Sequence, residues 1–312
     1  MNSVLRLCLG LILVFNALSF AHKVTAAPAT APATNSDASL RLTWQSWNTP
    51  VKPFRIAGNI YYVGVSGVAS FLITTPEGHI LLDGGFRETA PQIEQNMAQF
   101  GFKLADVKIL LNSHAHFDHA GGLAELKHKS GAKFIGNAGD ADLLKGGAHG
   151  DFRFGDTLLF PPIQPDQIIR DGESVHLGDQ VMTAHSTPGH TKGNTTWTTK
   201  VRDGEKFYNV VFIGSQSALD YKFVGQESYP GIRVDFEKSF TVLKSLPCDI
   251  FLGSHGSFFH LLQKRERLLH GETNAFVDPD GYKRYLMESE KDFQDKLGLQ
   301  RKAASFPTPA PE

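Results

Sequence analysis

Three histidines and one aspartate fall within six residues at His114-Ala115-His116-Phe117-Asp118-His119, and this run constrains the chain more than any other. Neutral imidazole nitrogens beside a carboxylate make a donor set suited to zinc, which takes nitrogen at about 2.0–2.1 Å and carboxylate oxygen at about the same distance. The apolar stretch 107–111 just upstream reads as a strand. A loop leaving it can turn alternate side chains to different sides, so that one metal takes His114 and His116 and another takes Asp118 and His119.

Two further histidines stand in similar contexts. His190 follows Thr187-Pro188-Gly189, a tight turn after the apolar stretch 181–184, and His255 follows Phe251-Leu252-Gly253-Ser254, where small residues let a side chain project from a strand end. Six candidate ligands are too many for one tetrahedral zinc, so two metals are expected. Any single histidine here reads more simply as a loop or core residue; the spacing of the set carries the metal reading. His176 and His185, on strand-like stretches without companion donors, are taken as core or edge residues. His149 and His260 stay outside a set that six ligands already complete.

The run 114–119 followed by Ala120-Gly121-Gly122, with Thr187-Pro188-Gly189-His190-Thr191 and Gly253-Ser254-His255, resembles the metallo-β-lactamase superfamily, and in particular its third lactamase subclass, B3. The resemblance extends from about Trp44 to Asp292. It implies a four-layer αββα sandwich in a single domain with two zinc ions per chain, the first on His114, His116 and His190, the second on Asp118, His119 and His255. It also implies hydrolysis by a hydroxide drawn from metal-bound water, with Asp118 as the catalytic carboxylate that orients it.

One position separates members of that superfamily. Hydrolases resembling glyoxalase II and many lactonases carry a metal-bridging Asp after the strand read here at 208–213, and lactamases of the other subclasses often carry a Cys; this chain has Ser215. A hydroxyl is a poor zinc ligand beside carboxylate or thiolate. The expectation therefore moves from hydrolase at large to a zinc β-lactamase that opens the amide bond of β-lactam antibiotics and confers resistance to them. The alternative is a dinuclear zinc hydrolase of the same fold acting on a lactone or thioester. By the same resemblance Ser215 and Ser217 are expected to bind the substrate carboxylate, with Lys222 and Arg233 near enough in sequence to compete. Asp83, ending an apolar strand before Gly84-Gly85, is either a turn residue or the acceptor of a ligand histidine's second N–H, and His116 is the histidine expected to meet it. The segment 146–154, with Phe160 and Ile163, is a candidate wall over the cleft, although aromatics in such loops are more often simply packed.

Strands are expected at 60–65, 70–74, 80–82, 107–111, 133–135, 181–185, 195–201, 208–213 and 250–252, with helices at 88–99, 120–129, 138–145, 235–246, 261–270 and 281–297. This order alone supports an α/β class; the four layers come from the resemblance. Lys and Arg number 31 against 32 Asp and Glu, which leaves no basic footprint for nucleic acid. A small-molecule substrate, a β-lactam, is the expected partner of a monomer.

Residues 1–21 read as a secretory signal peptide, mostly apolar from 4 to 20 with a single early positive charge at Arg6, and with small residues at 19–21 and 26–27 so that cleavage could fall as late as 27. A periplasmic protein, free of the membrane once cleaved, is expected. Cleavage removes Cys8 and leaves Cys248 alone, so no internal disulfide forms. Ala-Pro-Ala-Thr repeats make 22–39 a low-complexity linker, the catalytic domain is expected over 40–300, and 301–312 is expected to be a flexible tail.

Overall fold

A strand covered on both faces needs apolar residues at consecutive positions, and Phe71-Leu72-Ile73, Ile80-Leu81-Leu82 and Ile109-Leu110-Leu111 supply them, all buried. The structure, a computed structural model, describes residues 42–305. Its first helical turn, α1, covers residues 42–47. There follow β1 (Phe54–Ala57), β2 (Ile60–Tyr62), β3 (Phe71–Thr75), β4 (Gly78–Leu82), α2 (Ala90–Ala98), β5 (Val107–Leu111), α3 (Phe117–Ala120), α4 (Leu123–Ser130), β6 (Lys133–Asn137), α5 (Ala141–Gly146) and β7 (Gln167–Ile169). The second half holds β8 (Ser174–Leu177), β9 (Gln180–Ser186), β10 (Thr195–Asp203), β11 (Lys206–Ile213), α6 (Ile232–Ser245), β12 (Ile250–Gly253), α7 (Leu261–Leu269) and α8 (Pro279–Ser305).

The strands β1 to β7 form one sheet in chain order, and the second sheet runs β12-β11-β10-β9-β8. Pairs joined through a helix are parallel, as for β4 with β5, β5 with β6, and β11 with β12. Alternation along each strand sorts the apolar residues into two cores. Phe71, Ile73, Ile80, Leu82, Ile109 and Leu111 face the second sheet and join Trp197, Phe212 and Phe251 between the sheets. Leu72, Leu81 and Leu110 face the other way, onto Ile93 and Met97 of α2 and Leu123 and Leu126 of α4. On the far side Leu243 of α6 and Tyr282 and Leu286 of α8 pack with Phe251 of β12. Helices thus cover the outer face of each sheet, the αββα arrangement expected.

Three strands escape the sequence pattern. β7 and β8 are short, with mixed polar composition, and take strand form by pairing with β6 and β9 at the sheet edges. β1 is held through its register with β2, which carries a bulge between Arg55 and Ala57.

The C-terminal boundary also differs. Residues 301–305 continue α8 instead of starting a tail. Buried Phe293 and Leu297 anchor the helix, and Gln300 clasps the 221–223 segment by donating to the Tyr221 carbonyl (2.6 Å) and accepting from the Phe223 amide (2.6 Å). The expected signal peptide (1–21), the expected linker (22–39) and residues 306–312 lie outside the described residues. Among the described residues Cys248 is free, and no helix is long and apolar enough to cross a membrane.

Removing the clasp with Gln300→Ala should lower stability by about 1–3 kcal/mol, two hydrogen bonds at roughly 0.5–1.5 kcal/mol each. Urea unfolding measures this, and faster amide exchange at Phe223 should accompany it.

Candidate metal centre

The C-terminal ends of β5, β9 and β12 open on one edge of the sandwich, and each feeds a histidine into the same space. His114 and His116 lie on the loop after β5, His190 on the loop after β9, and His255 directly after β12. Asp118 and His119 stand on the short helix α3, where a loop was expected. The two sheets are tied at this edge by the Thr195 amide donating to the Ser113 carbonyl (2.8 Å) and the Trp197 indole donating to the Asn112 carbonyl (3.0 Å).

A buried carboxylate locks the two loops together. Asp140, at the start of α5, accepts from the Ala115 amide (2.8 Å), the Thr191 hydroxyl (2.7 Å) and the Gly193 amide (2.7 Å). Burial raises its pKa, and these donors oppose the rise. The turn into His190 needs glycine: Gly189 has φ 133°, and a Cβ there would lie 2.7 Å from the Phe236 ring.

Six donor atoms converge as two clusters. His116 Nδ1 and His190 Nε2 are 3.1 Å apart, and the donor atoms of His114, His116 and His190 all lie within 4.8 Å of one another. In the second cluster His119 Nε2 is 3.3 Å from Asp118 Oδ2 and 3.2 Å from His255 Nε2, and His255 Nε2 is 3.7 Å from Asp118 Oδ2. His114 also lies within 4.8 Å of Asp118 and His119, so it is where the clusters abut. His255 completes the second cluster because its ring nitrogen is within 3.7 Å of both other donors.

The nitrogen each ring does not aim inward has an outer neighbour. His114 Nδ1 meets the Ser113 hydroxyl (3.0 Å), His190 Nδ1 the Ser217 carbonyl (2.9 Å), and His255 Nδ1 the Gly67 carbonyl (3.1 Å). His119 Nδ1 faces Asp83 Oδ2 at 3.5 Å. Such partners set which nitrogen carries the proton and leave the other lone pair free for a metal.

Electrostatics agree with neutral donors. Burial, and then repulsion from neighbouring rings, holds His114 and His190 well below the usual imidazole range and brings His255 down to about 4. His119 is the exception: burial depresses it, but the Asp118 carboxylate and then Asp83 outweigh burial and raise it. The same pairing holds Asp118 low against its own burial.

These residues fit divalent cations. Two ring nitrogens facing each other at 3.1–3.2 Å share at most one proton, and the buried His114 Nε2 has no hydrogen-bond partner. Each unsatisfied buried group costs about 1–3 kcal/mol. A cation within each cluster satisfies all of them together.

The remaining expected residues fall as follows. Asp83 meets His119 and not His116, a correction with a clear cause. Its backbone sits at φ 63°, and Oδ1 accepts from the Ser113 amide (2.6 Å) and the Asn112 side chain (3.1 Å), which turns Oδ2 toward α3. Ser215 is buried and its Oγ accepts from the Ser217 amide (3.3 Å), while Ser217 is only half-buried and lines a cavity of about 520 Å³ with Leu219, Phe258 and Tyr285. Arg233 is paired with Glu237 at 2.8 Å. Phe160 and Ile163 are packed in the core beneath α4 and α5, whereas Phe154 meets the His116 ring edge-on at 5.2 Å. His185 bonds Thr198 (2.8 Å) away from the centre. Asp140 and Asp151, both buried, carry no sequence signal of their roles, because neither belongs to a dense run of donors.

Residues 63–202 match the model of the metallo-β-lactamase superfamily. The chain is 44% identical to the FEZ-1 metallo-β-lactamase from Legionella gormanii, with a TM-score of 0.80 over 81% of this chain and 98% of that one. It is 37% identical to BJP-1, a subclass B3 metallo-β-lactamase of Bradyrhizobium japonicum, with a TM-score of 0.79 over 83% of this chain and 98% of that one. Among curated sequences it is 35% identical over 83 residues to a hydroxyacylglutathione hydrolase of Hyphomonas neptunium, 27% of this chain and 25% of that protein. The chain thus spans about a quarter of the length of that curated relative.

Three outcomes follow from the geometry. In zinc titrations, His190→Ala should lose tight binding of one equivalent and His255→Ala that of another; two full-affinity equivalents in both variants would refute the six-donor assignment. Gly189→Ala should weaken the same equivalent as His190→Ala, since the clash with Phe236 displaces that loop. The third is a pH dependence in metal-free protein. His114, His190 and His255, depressed on folding, contribute stability that is full above about 6.5 and is lost as pH falls below it, for His255 down to about 4. His119, raised, contributes stability that is full below about 6.5 and is lost as pH rises above it. Urea midpoints of chelator-treated protein should therefore fall on acidification below about pH 6.5, and less steeply in His190→Ala.

Proposed function

The chain belongs to the metallo-β-lactamase superfamily of hydrolases, whose fold implies a divalent metal, and from that premise we propose that it is a B3-like β-lactamase that uses two zinc ions to hydrolyse the amide bond of β-lactam antibiotics. One observation carries the reading. The second donor cluster is completed by His255, and the end of β11 offers Ser215 where hydrolases resembling glyoxalase II carry a bridging carboxylate. The extent of similarity points the same way, since it covers 98% of a B3 enzyme but 25% of a hydroxyacylglutathione hydrolase. That shorter match supports the second reading, a thioester or lactone hydrolase of the same fold.

Bound zinc would supply Lewis acidity at the scissile carbonyl and a water acidic enough to attack near neutral pH. The chain does the rest by placement. The imidazoles of His114, His116 and His190 bring no negative charge, while Asp118 brings one, so the two halves of the centre differ by a unit charge. Asp118, held ionised by His119, orients the attacking water through its carboxylate. Ser217 offers its half-buried hydroxyl to the substrate carboxylate, with Ser215 behind it holding the Ser217 amide. No serine or cysteine nucleophile is required, and Cys248, which precedes β12 while His255 follows it, has its thiol pushed up to about 12 by burial. The same reading takes residues 1–21 as an export signal that delivers a monomer to the periplasm, where its β-lactam hydrolysis confers antibiotic resistance.

Purified protein should hydrolyse a penicillin, a cephalosporin or a carbapenem, lose that activity to a chelator and regain it with zinc. Turnover of an acyl-homoserine lactone or a glutathione thioester with none of the three β-lactams would overturn the proposal in favour of the second reading. Ser217→Ala should raise KM by roughly tenfold or more, a hydrogen bond to a charged group being worth about 1.5–3 kcal/mol. Ser215→Asp, by adding a carboxylate at the centre, should reduce β-lactam turnover.

A further inference from the structure

Asp151, on the loop after α5, is buried and only half engaged. Its Oδ1 accepts from the backbone amides of Arg153 (2.8 Å) and Phe154 (2.7 Å), an Asx turn that fixes the plane of the carboxylate. Its Oδ2 has no hydrogen-bond partner and stands 3.7 Å from His116 Nε2, which has none either. That separation is longer than a hydrogen bond, yet both atoms are buried and each faces the other. His116 Nδ1 points at His190 Nε2, so the tautomer that frees Nδ1 for a cation carries its proton on Nε2, toward Asp151.

The rest of the loop is tied to the same donor cluster. Phe154 lies edge-on to the His116 ring at 5.2 Å, and Phe152 packs on Tyr221 at 5.3 Å. The Tyr221 hydroxyl in turn donates to the His190 carbonyl (2.8 Å), and Arg153 pairs with Asp220 next to Tyr221. Segment 151–154 therefore touches the supports of two of the three histidines in the first cluster. His114, His119, His190 and His255 take their outer neighbours from Ser113, Asp83, Ser217 and Gly67, which leaves His116 as the fifth ring.

We propose that Asp151 is a positioning residue for the first metal: it accepts the His116 Nε2 proton, fixes the tautomer that turns Nδ1 to the cation, and so couples the 151–154 loop to the metal centre. The inference rests on the two-cation reading. A turn alone would need only Oδ1; the unpartnered Oδ2 aimed at His116 is what a turn does not explain.

Asp151→Asn separates the two tasks, because its amide oxygen can still accept from Arg153 and Phe154 while its NH2 group faces the Nε2 proton. Zinc affinity of wild type, Asp151→Asn and Asp151→Ala is measured by chelator competition, with far-UV circular dichroism as the check on folding. Asp151→Asn is expected to bind one equivalent 10–100-fold more weakly, with the other equivalent and the spectrum unchanged. An Asn variant that binds two equivalents as wild type does, while Asp151→Ala does not, overturns the inference and leaves Asp151 a turn residue. A wild type that binds no zinc overturns the metal reading and this inference with it. Should the variants misfold, histidine nitrogen-15 spectra of zinc-loaded wild type decide: a protonated, slowly exchanging His116 Nε2 supports the proposal, and an unprotonated Nε2 refutes it.

Discussion

Five imidazole nitrogens and one carboxylate oxygen aimed at one another in a buried space form an arrangement that no set of protein hydrogen bonds can satisfy. Acceptors outnumber the protons available, and charging the rings is opposed by burial and by their mutual repulsion. A divalent metal, which the fold implies, relieves that cost by taking up lone pairs. That requirement organises the edge of the sandwich: ring tautomers, outer partners and the loops that carry them all serve to keep the donors pointed inward.

The supports come from the scaffold. Backbone carbonyls of Gly67 and Ser217 hold two rings, and Asp83, strained at φ 63°, reaches a third from the end of β4. Asp140 joins the loops after β5 and β9 through a single carboxylate. The Trp197 indole and the Thr195 amide bind the second sheet to the loop that follows β5. Catalytic geometry in such a fold depends on strand ends that two packed sheets keep in register, with the chemistry carried by short loops and the single-turn helix α3.

Much of this was legible in the chain itself. The six donors that converge here are legible because four crowd the run 114–119 and the other two, both histidines, follow apolar runs ended by small residues, a signal carried by residue type and spacing. The central strands were equally plain, since burial on both faces demands unbroken apolar runs such as Ile80-Leu81-Leu82. Edge strands β7 and β8 were not, because pairing and not composition makes them strands. The outer partners were harder still. The sequence marks Asp83 as a support but points it at His116 and not His119, and it gives no role to Asp140 or Asp151, because which histidine a carboxylate meets depends on how loops fold back over each other. The helix past residue 300 was hidden likewise, since the Gln300 clasp lies 77 and 79 residues from its partners in sequence.

The most direct test is anomalous diffraction at the zinc absorption edge from crystals grown with zinc. The account predicts two peaks, one about 2.0–2.1 Å from His114 Nε2, His116 Nδ1 and His190 Nε2, the other at about 2.0–2.2 Å from Asp118 Oδ2, His119 Nε2 and His255 Nε2. A single peak, or a second peak coordinated without His255, would contradict it.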